Sequence, residues 1–137
     1  DWTLHCVTVA QGKPEACEML QDVANDKGRV LLMMVGRVPN VDTPGMLILL
    51  PLGIALPPGV SLKIDDGDRR PIELKLCAKE GCHAEQAPLK PDLLSALKAG
   101  SKGTVSFYVF TRQGKQQQVN IPVSFLGFSA ALAEVMK

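Results

Sequence analysis

Apolar and polar residues alternate along much of the chain, and this pattern predicts short β-strands. The clearest alternation covers Gln118–Phe125, where every second residue is apolar. Val60–Ile64 and Ile72–Leu76 alternate in the same way, and Asp65–Pro71 between them has the composition of a connecting loop. A period of two is typical of a strand with one buried side and one solvent-facing side. We therefore predict three strands, of which Val60–Ile64 and Ile72–Leu76 are joined as a hairpin.

Three other runs are apolar at nearly every position and predict buried strands. Val30–Val38 and Val105–Phe110 are apolar on both faces, which favours central positions in a sheet. Met46–Pro57 is the longest apolar run, but it is interrupted by Pro51 and falls short of the roughly 20 residues that cross a bilayer. We expect a strand that ends at the proline and no membrane-spanning segment. Because the apolar faces of the predicted strands are assigned to the core, we expect any partner to be bound by loops.

The two ends of the chain complete the predicted fold. Trp2–Val9 and Cys17–Val23 flank turn-forming residues at Gln11–Pro14, which predicts an N-terminal hairpin. Pro91–Ala99 starts with proline and is followed by Gly100, which is typical of a helix.

Near the C-terminus, apolar residues recur from Phe128 at i, i+3, i+4, i+7 and i+8. They predict a helix over about 129–136, with Ser129 as N-cap and one face packed on the sheets. With seven or eight strands, the chain 1–137 is predicted to be a single, mainly β domain, a sandwich or barrel with two short helices.

Composition and motifs exclude several classes of function. The hydrophobic fraction of 46% indicates a folded chain, and 15 basic against 14 acidic residues leave a net charge of +1, which argues against nucleic-acid binding. The chain has no phosphate-binding loop and no dinucleotide or zinc-protease motif, and Ser129 lacks the second glycine of a nucleophile elbow. We therefore predict neither enzymatic activity nor a cofactor.

The four cysteines form two close pairs in the sequence, Cys6 with Cys17 and Cys77 with Cys82. Each pair flanks turn-forming residues, and cysteines that face each other across a hairpin can reach disulfide distance. We predict the pairings Cys6–Cys17 and Cys77–Cys82. Disulfides persist in oxidising compartments, so the pattern favours the periplasm, the outer membrane surface or secretion.

Other readings of the cysteines remain open at this point. Four thiolates can bind zinc, although the interval between the first pair is wider than in a zinc knuckle. Cys77, Cys82 and His83 resemble a widened haem-attachment sequence, for which a second axial ligand would have to be a methionine. The four thiols can also be free and buried. The methionines considered as axial ligands are Met19, Met33, Met34 and Met46.

The segment Cys77–Pro91 is the predicted partner-binding loop, because a disulfide would hold its tip and its side chains are polar. The alternative is that the disulfide only secures the end of a strand, in which case Asp65–Arg70 is the next loop to consider. The acidic residues of that second loop fit a solvated hairpin turn better than a calcium site. His5 is predicted to lie on the surface. The residues proposed for the binding loop are Lys79, Glu80, His83, Glu85 and Gln86.

Several motifs follow one another in a characteristic order along the chain. They are Trp2, Cys6, Cys17, LLPLGIALPPGVSLKID at Leu49–Asp65, CAKEGC at Cys77–Cys82, LLSALKAG at Leu93–Gly100 and FLGFSAAL at Phe125–Leu132. Their order resembles the invasion-associated locus B family of bacterial proteins, and the resemblance spans essentially the whole chain.

This resemblance implies an exported protein of a Gram-negative bacterium with an immunoglobulin-like β-sandwich, linked in some members to host-cell invasion. The family offers no active-site residues to carry over. The chain begins at Asp1 without a leader pattern, so we expect a signal peptide to have been removed or the sequence to have been trimmed.

Three functional hypotheses follow. The first is a non-enzymatic envelope or host-interaction protein with a protein partner in the bacterial envelope or on the host cell. The second is a periplasmic accessory protein with a housekeeping partner. The third is a haem or metal carrier that uses Cys82 and His83.

Overall fold

The computed structural model describes residues 1–8, 11–12 and 16–137, which form ten strands and two helices. Val9, Lys13 and Pro14 of the predicted N-terminal hairpin lie outside the described residues. The helices are α1 (Pro91–Ala99) and α2 (Phe128–Val135). The strands are β1 (Thr3–Val7), β2 (Ala16–Asn25), β3 (Gly28–Arg37), β4 (Pro44–Leu50), β5 (Val60–Ile64), β6 (Arg70–Ile72), β7 (Leu74–Ala78), β8 (Gly81–Gln86), β9 (Lys102–Phe110) and β10 (Gln116–Ser124).

The strands form two antiparallel sheets. The larger has six strands in the order β1-β2-β3-β4-β8-β7, and the smaller has four in the order β10-β9-β5-β6. The two strands predicted to be central, β3 and β9, each lie between two neighbours. The mainly β fold with two helices is confirmed, whereas the immunoglobulin-like description stays a prediction.

The core lies between the sheets because strands of both sheets turn alternate apolar residues inward, most regularly β4 and β5. Met33, Val35 and Ile48 of the larger sheet are fully buried, as is Leu62 of the smaller sheet. Both helices contribute to the same cluster, and α2 packs against β1, β2 and β3. The helical residues of the cluster are Leu93 and Leu97 from α1 and Phe128, Leu132 and Val135 from α2.

A polar clasp joins the two sheets at the end of β10. The Gln21 side chain donates from Nε2 to the Ser124 carbonyl (2.7 Å) and accepts at Oε1 from the Ser124 amide (2.8 Å). Trp2 donates from Nε1 to the same carbonyl (3.1 Å), and its ring meets Phe128 edge-on. Gln21 is only 8% exposed, so these bonds satisfy an amide that would otherwise be costly to bury. The clasp fixes the first two strands against the C-terminal part of the chain.

The predicted strand Ile72–Leu76 is wrong as a single element. Ile72 pairs with Val60 in the smaller sheet, whereas β7 begins at Leu74 and pairs with β8 in the larger sheet. The chain therefore changes sheets at Glu73, and Leu76 is left 52% exposed. A period-two pattern reports an extended backbone but not which sheet the strand joins.

The helices need one correction. The first has the predicted bounds, with Pro91 in its first turn. The second begins at Phe128, and its N-cap is Gly127 in the left-handed region (φ 81°), so the prediction of Ser129 as N-cap is wrong. Ser129 lies inside the first turn, and its hydroxyl donates to the Lys98 carbonyl (3.3 Å), which links the two helices.

Candidate functional site

Both predicted disulfides are present, and each lies at an edge of the larger sheet. Cys6–Cys17 joins directly opposed residues of β1 and β2, with 4.0 Å between the Cα atoms. Cys77–Cys82 does the same for β7 and β8, with 3.9 Å between the Cα atoms. All four sulfurs are consumed, so none is left as a thiolate for zinc or for thioether bonds to haem. The larger sheet is therefore cross-linked at both outermost strand pairs.

The predicted binding loop Cys77–Pro91 is largely not a loop. Gly81–Gln86 is strand β8, hydrogen-bonded between β4 and β7, and only Lys79 and Glu80 connect the hairpin. The sequence concealed this strand because its alternation is short and its apolar side chains, Cys82 and Ala84, are small. Gly81 has a φ of 143°, and a Cβ there would overlap the Leu50 carbonyl oxygen, so the hairpin depends on a glycine at this position.

The residues proposed for that loop separate into three places. Lys79 and Glu80 lie at the hairpin tip, while His83 and Glu85 lie on the outer face of the larger sheet, opposite Leu49 and Leu47 of β4. Gln86 lies on the opposite side of the strand from Glu85. Its Oε1 accepts the Lys90 amide (2.9 Å) just before α1. Its contact is therefore structural. The structure brings His83 and Glu85 together with apolar residues rather than with a polar loop.

Glu80 and His83 form a local pair at this end of the sheet. The distance from His83 Nε2 to Glu80 Oε1 is 2.7 Å, and the His83 side chain is 21% exposed. The backbone amide of Glu80 and then the His83 ring hydrogen-bond the Glu80 carboxylate, so the pKa of this carboxyl lies below its ordinary value of 4.5. The pair is charged only when the histidine is protonated.

The other predicted polar residues have structural contacts. The Asp65 carboxylate accepts the amides of Ser101 and Lys102 (3.2–3.3 Å), which holds the end of β5 against the start of β9. His5 is exposed on β1, as predicted, and its Nδ1 is 3.4 Å from Glu18 Oε1. No group of three or more metal-ligating side chains occurs in residues 1–8, 11–12 and 16–137. Within the same residues, no helix has the length and hydropathy needed to span a membrane.

The outer face of the larger sheet is apolar at its centre. The side chains of this face alternate along each strand with those of the core. They lie opposite one another on neighbouring strands, so they form continuous rows across the sheet. Leu32 is only 9% exposed yet does not belong to the core cluster. No described helix or strand packs over this face, because both helices join the inner core. We call this surface the outer apolar face; it comprises Leu20, Leu32, Met34, Leu47, Leu49 and Leu76.

A groove crosses the strands beside the outer apolar face. Gly36 and Gly45 are opposed on β3 and β4, so a row without side chains runs through the sheet. A Cβ on Gly45 would lie 2.7 Å from that of Ala87, whereas one on Gly36 would have only an ordinary contact at 3.5 Å. The space has a volume of about 270 Å³ and continues into a second space of about 430 Å³ towards β1. We call it the glycine groove; among its lining residues are Glu18, Met34, Gly36, Gly45, Leu47 and Glu85.

The charges along the groove are mainly acidic. Glu18 and Glu85 lie on opposite sides, and the only described partner of either carboxylate within ion-pair distance is His5, beside Glu18. Arg37 also lines the groove, but its Nη2 donates to the carbonyls of Met136 (2.6 Å) and Lys137 (2.9 Å) at the end of α2. The guanidinium is therefore engaged by the C-terminus rather than by either glutamate.

The outer apolar face was missed because most of its residues lie in strands whose apolar side chains were assigned to the core. The signal was present in the sequence: Val30–Val38 and Met46–Leu50 are apolar at both odd and even positions. Antiparallel sheets usually present polar residues on the side that faces solvent, so an apolar second face needs a cover. Within the part of the chain that the structure describes there are two helices, and both pack on the inner side.

Comparison with known proteins gives a consistent result. Residues 2–136 match the family model described as invasion associated locus B (IalB) protein. Invasion protein B homologs of Brucella abortus strain 2308 and of biovar 1 strain 9-941 are each 33% identical over 139 aligned positions, covering 98% of this chain and 75% of the relative.

Among solved structures, the crystal structure of invasion associated protein b from Bartonella henselae is similar in fold. Its TM-score is 0.77 at 23% identity, covering 98% of this chain and 90% of that chain. The resemblance predicted from the motifs is therefore confirmed over nearly the full length. The chain belongs to the invasion-associated locus B family.

Proposed function

We propose that this protein is an exported, non-enzymatic interaction protein whose partner is a protein of the bacterial envelope or of the host cell. The observation that carries the proposal is the outer apolar face. Contiguous apolar surface on a folded protein is typical of an interaction site, and this surface lies at the centre of a sheet rather than at scattered positions.

Two further features support the proposal. Disulfides at both edges of the larger sheet fit an oxidising compartment, which favours the periplasm, the outer membrane surface or secretion. They also hold the outermost strands in place, so a partner meets a preorganised surface and less ordering entropy is lost on binding. The names of the relatives connect the family with invasion, which agrees with a partner outside the cytoplasm.

The proposal replaces the predicted loop with a sheet face as the place of binding. His83 and Glu85 remain in it, because they border the outer apolar face. Lys79 and Glu80 lie at its margin, and Gln86 has no part in it. The haem or metal alternative loses its basis, because the sulfur of Cys82 is bonded to Cys77 and the His83 ring contacts Glu80.

The test is site-specific photo-cross-linking in cells of the native species. A photoreactive amino acid at Leu47 probes the outer apolar face, and the same amino acid at Thr104 probes the outer face of the smaller sheet as a matched control. We expect a defined protein adduct from position 47 and none from position 104. No adduct at either position, or the same adducts at both, would contradict the proposal.

Surface labelling of intact cells then decides between a partner on the host and one inside the envelope. Labelled protein on intact cells supports contact with the host. Protection until the outer membrane is opened supports a periplasmic accessory role, which remains the second candidate within the same proposal.

A further inference from the structure

The outer apolar face and the glycine groove together define a surface with a specific charge. Apolar side chains of Met34 and Leu47 lie between two acidic residues, Glu18 on β2 and Glu85 on β8. Those strands are three positions apart in the sheet, so the carboxylates are separated by about 15 Å at the usual spacing of strands and residues. Arg29 and Asp22 of this face pair with each other (2.8 Å), so they add no net charge to it.

The negative charge of Glu18 and Glu85 favours a basic partner over a second copy of the chain as the occupant of the groove. A second copy that docked through the same face would add its own Glu18 and Glu85 to the interface, and concentrating like charges in one interface is unfavourable. A partner with basic groups would pair with both. Opposite charge also raises the rate of encounter, which suits a preformed and partly open groove.

We propose that the glycine groove binds a segment of a partner protein in which an apolar residue lies between two basic residues. This inference rests on the proposed function and adds the chemistry of the partner. In an extended segment, residues four apart are separated by about 14 Å and point to the same side. Lysine or arginine at positions 1 and 5 therefore reaches Glu18 and Glu85, and an apolar residue at position 3 contacts Met34 and Leu47.

The groove also provides a precise way to block this binding. Gly36 lines both parts of the space and lies in a strand, without a positive φ. A Cβ there makes an ordinary contact with Glu18 Cβ, so Gly36→Val fills the groove without forcing the backbone. A β-branched residue is also favourable in a strand, so we expect this variant to remain folded.

The experiment is a titration of the ¹⁵N-labelled protein with acetyl-Lys-Ser-Leu-Ser-Lys-amide, followed by amide NMR shifts. Two peptides serve as controls: the charge-reversed Glu-Ser-Leu-Ser-Glu and the rearranged Lys-Lys-Leu-Ser-Ser, both capped in the same way. We expect saturable shifts at the amides of Gly36, Gly45 and Leu47 with the first peptide, weaker binding of the rearranged one and none of the charge-reversed one.

Variants of the protein make the result specific. Glu18→Gln and Glu85→Gln should each raise the apparent Kd about 2- to 5-fold, which is the usual range for an exposed ion pair. Glu134→Gln, which removes an exposed carboxylate of α2 that pairs with Lys137, should leave it unchanged. Gly36→Val should abolish the shifts while the melting temperature is kept.

Several results would overturn the inference. Equal binding of the lysine and glutamate peptides would show that charge does not select the occupant. Shifts at the same amides on concentrating the protein alone would assign the groove to a second copy. Line broadening of these amides with phosphatidylcholine vesicles would assign the face to lipid. The first of these leaves the proposed function intact, because an adduct at Leu47 does not depend on charge; no adduct at Leu47 would instead remove the proposed function itself.

Discussion

The outer faces of the two sheets differ in the chemistry they present. In the larger sheet, the residues that alternate with the core along β3 and β4 are mainly Leu and Met, with one pair of glycines. In the smaller sheet the equivalent residues are mainly polar, and Ser106 donates to Asn120 Oδ1 (2.6 Å) across β9 and β10. The polar residues of this face are Ser61, Lys63, Thr104, Ser106, Tyr108, Gln118 and Asn120. The outer face of the smaller sheet therefore has the polar composition of a solvent-facing side, whereas the outer face of the larger sheet is apolar at its centre.

The edges of the two sheets differ as well. Unpaired edge strands invite pairing with other chains, and proteins protect them in various ways. The smaller sheet ends in β6, which has three residues and contains Pro71, and in β10, which contains Pro122. The larger sheet ends in strands that are covalently bonded to their neighbours. One sheet discourages additional strands, whereas the other is held rigid beneath an apolar face.

The largest expected loss of stability comes from a change on the inner side of the larger sheet, which helix α2 covers. Leu132→Asp places a charge at a residue that is 5% exposed, where α2 packs on the inner core. An unpaired buried charge is among the few changes that cost about 4 kcal/mol or more of unfolding free energy. Ala133→Asp, at the next and exposed position, is the control and should cost little. Urea denaturation measures both, and a normally stable Leu132→Asp protein would show that α2 is peripheral.

The next effect compares the two faces within one strand. Ile48→Ala removes a fully buried inner side chain of β4 and should lower the free energy of unfolding by about 2–5 kcal/mol. Leu49→Ala removes an outer side chain that is only partly buried, so we expect a smaller loss of about 1 kcal/mol. Chemical denaturation of the two variants gives the difference. Equal losses would mean that the outer face is packed as tightly as the core.

The disulfides are expected to have a smaller effect. In the chain-entropy model, loops of this length give about 3 kcal/mol for Cys6–Cys17 and about 2 kcal/mol for Cys77–Cys82. The double replacements Cys6→Ser/Cys17→Ser and Cys77→Ser/Cys82→Ser should lower stability by these amounts. They should also speed hydrogen exchange of the amides in β1 and β7, respectively, but not in β10. Unchanged exchange in the affected strand would contradict the idea that the bonds hold the sheet edges.

The smallest effect concerns Glu80 at the margin of the larger sheet. Hydrogen bonds from its own amide and from His83 lower the pKa of its carboxyl in the folded state. A lowered folded pKa adds stability above the unfolded value near 4.5, and this contribution is lost as the pH falls through the folded pKa. The difference in unfolding free energy between the parent and Glu80→Gln should therefore be present above the unfolded value and vanish in acid. A difference that does not change with pH would assign the effect to packing.

The sequence predicted local structure well because local rules decide it. The bounds of α1 follow from Pro91 and Gly100, and the pairing of the cysteines follows from turns that each pair flanks. The central position of β3 follows from its continuous apolar run. Each of these depends on residues within about ten positions of one another.

The candidate site escaped prediction because it depends on what the rest of the chain leaves uncovered. Apolar residues such as Leu47 and Ile48 look alike in sequence, yet one faces the core and the other the outside. The groove needs Gly36 and Gly45 to be opposed across two strands, which is a matter of register. The switch of sheets at Glu73 and the strand hidden in GCHAEQ are likewise long-range outcomes.

The polar clasp at Ser124 has a consequence for the order in which the protein is assembled. Its bonds join Trp2 and Gln21 to a residue more than one hundred positions later in the chain. A chain that emerges from its N-terminus can pair β1 to β4 with near neighbours, but it cannot close the two sheets until β10 and α2 have followed. Contacts of such high sequence separation are slow to form, and apolar strands stay open to water meanwhile. Strand β10 and helix α2 therefore determine when the strands near Trp2 stop being accessible to chaperones and proteases.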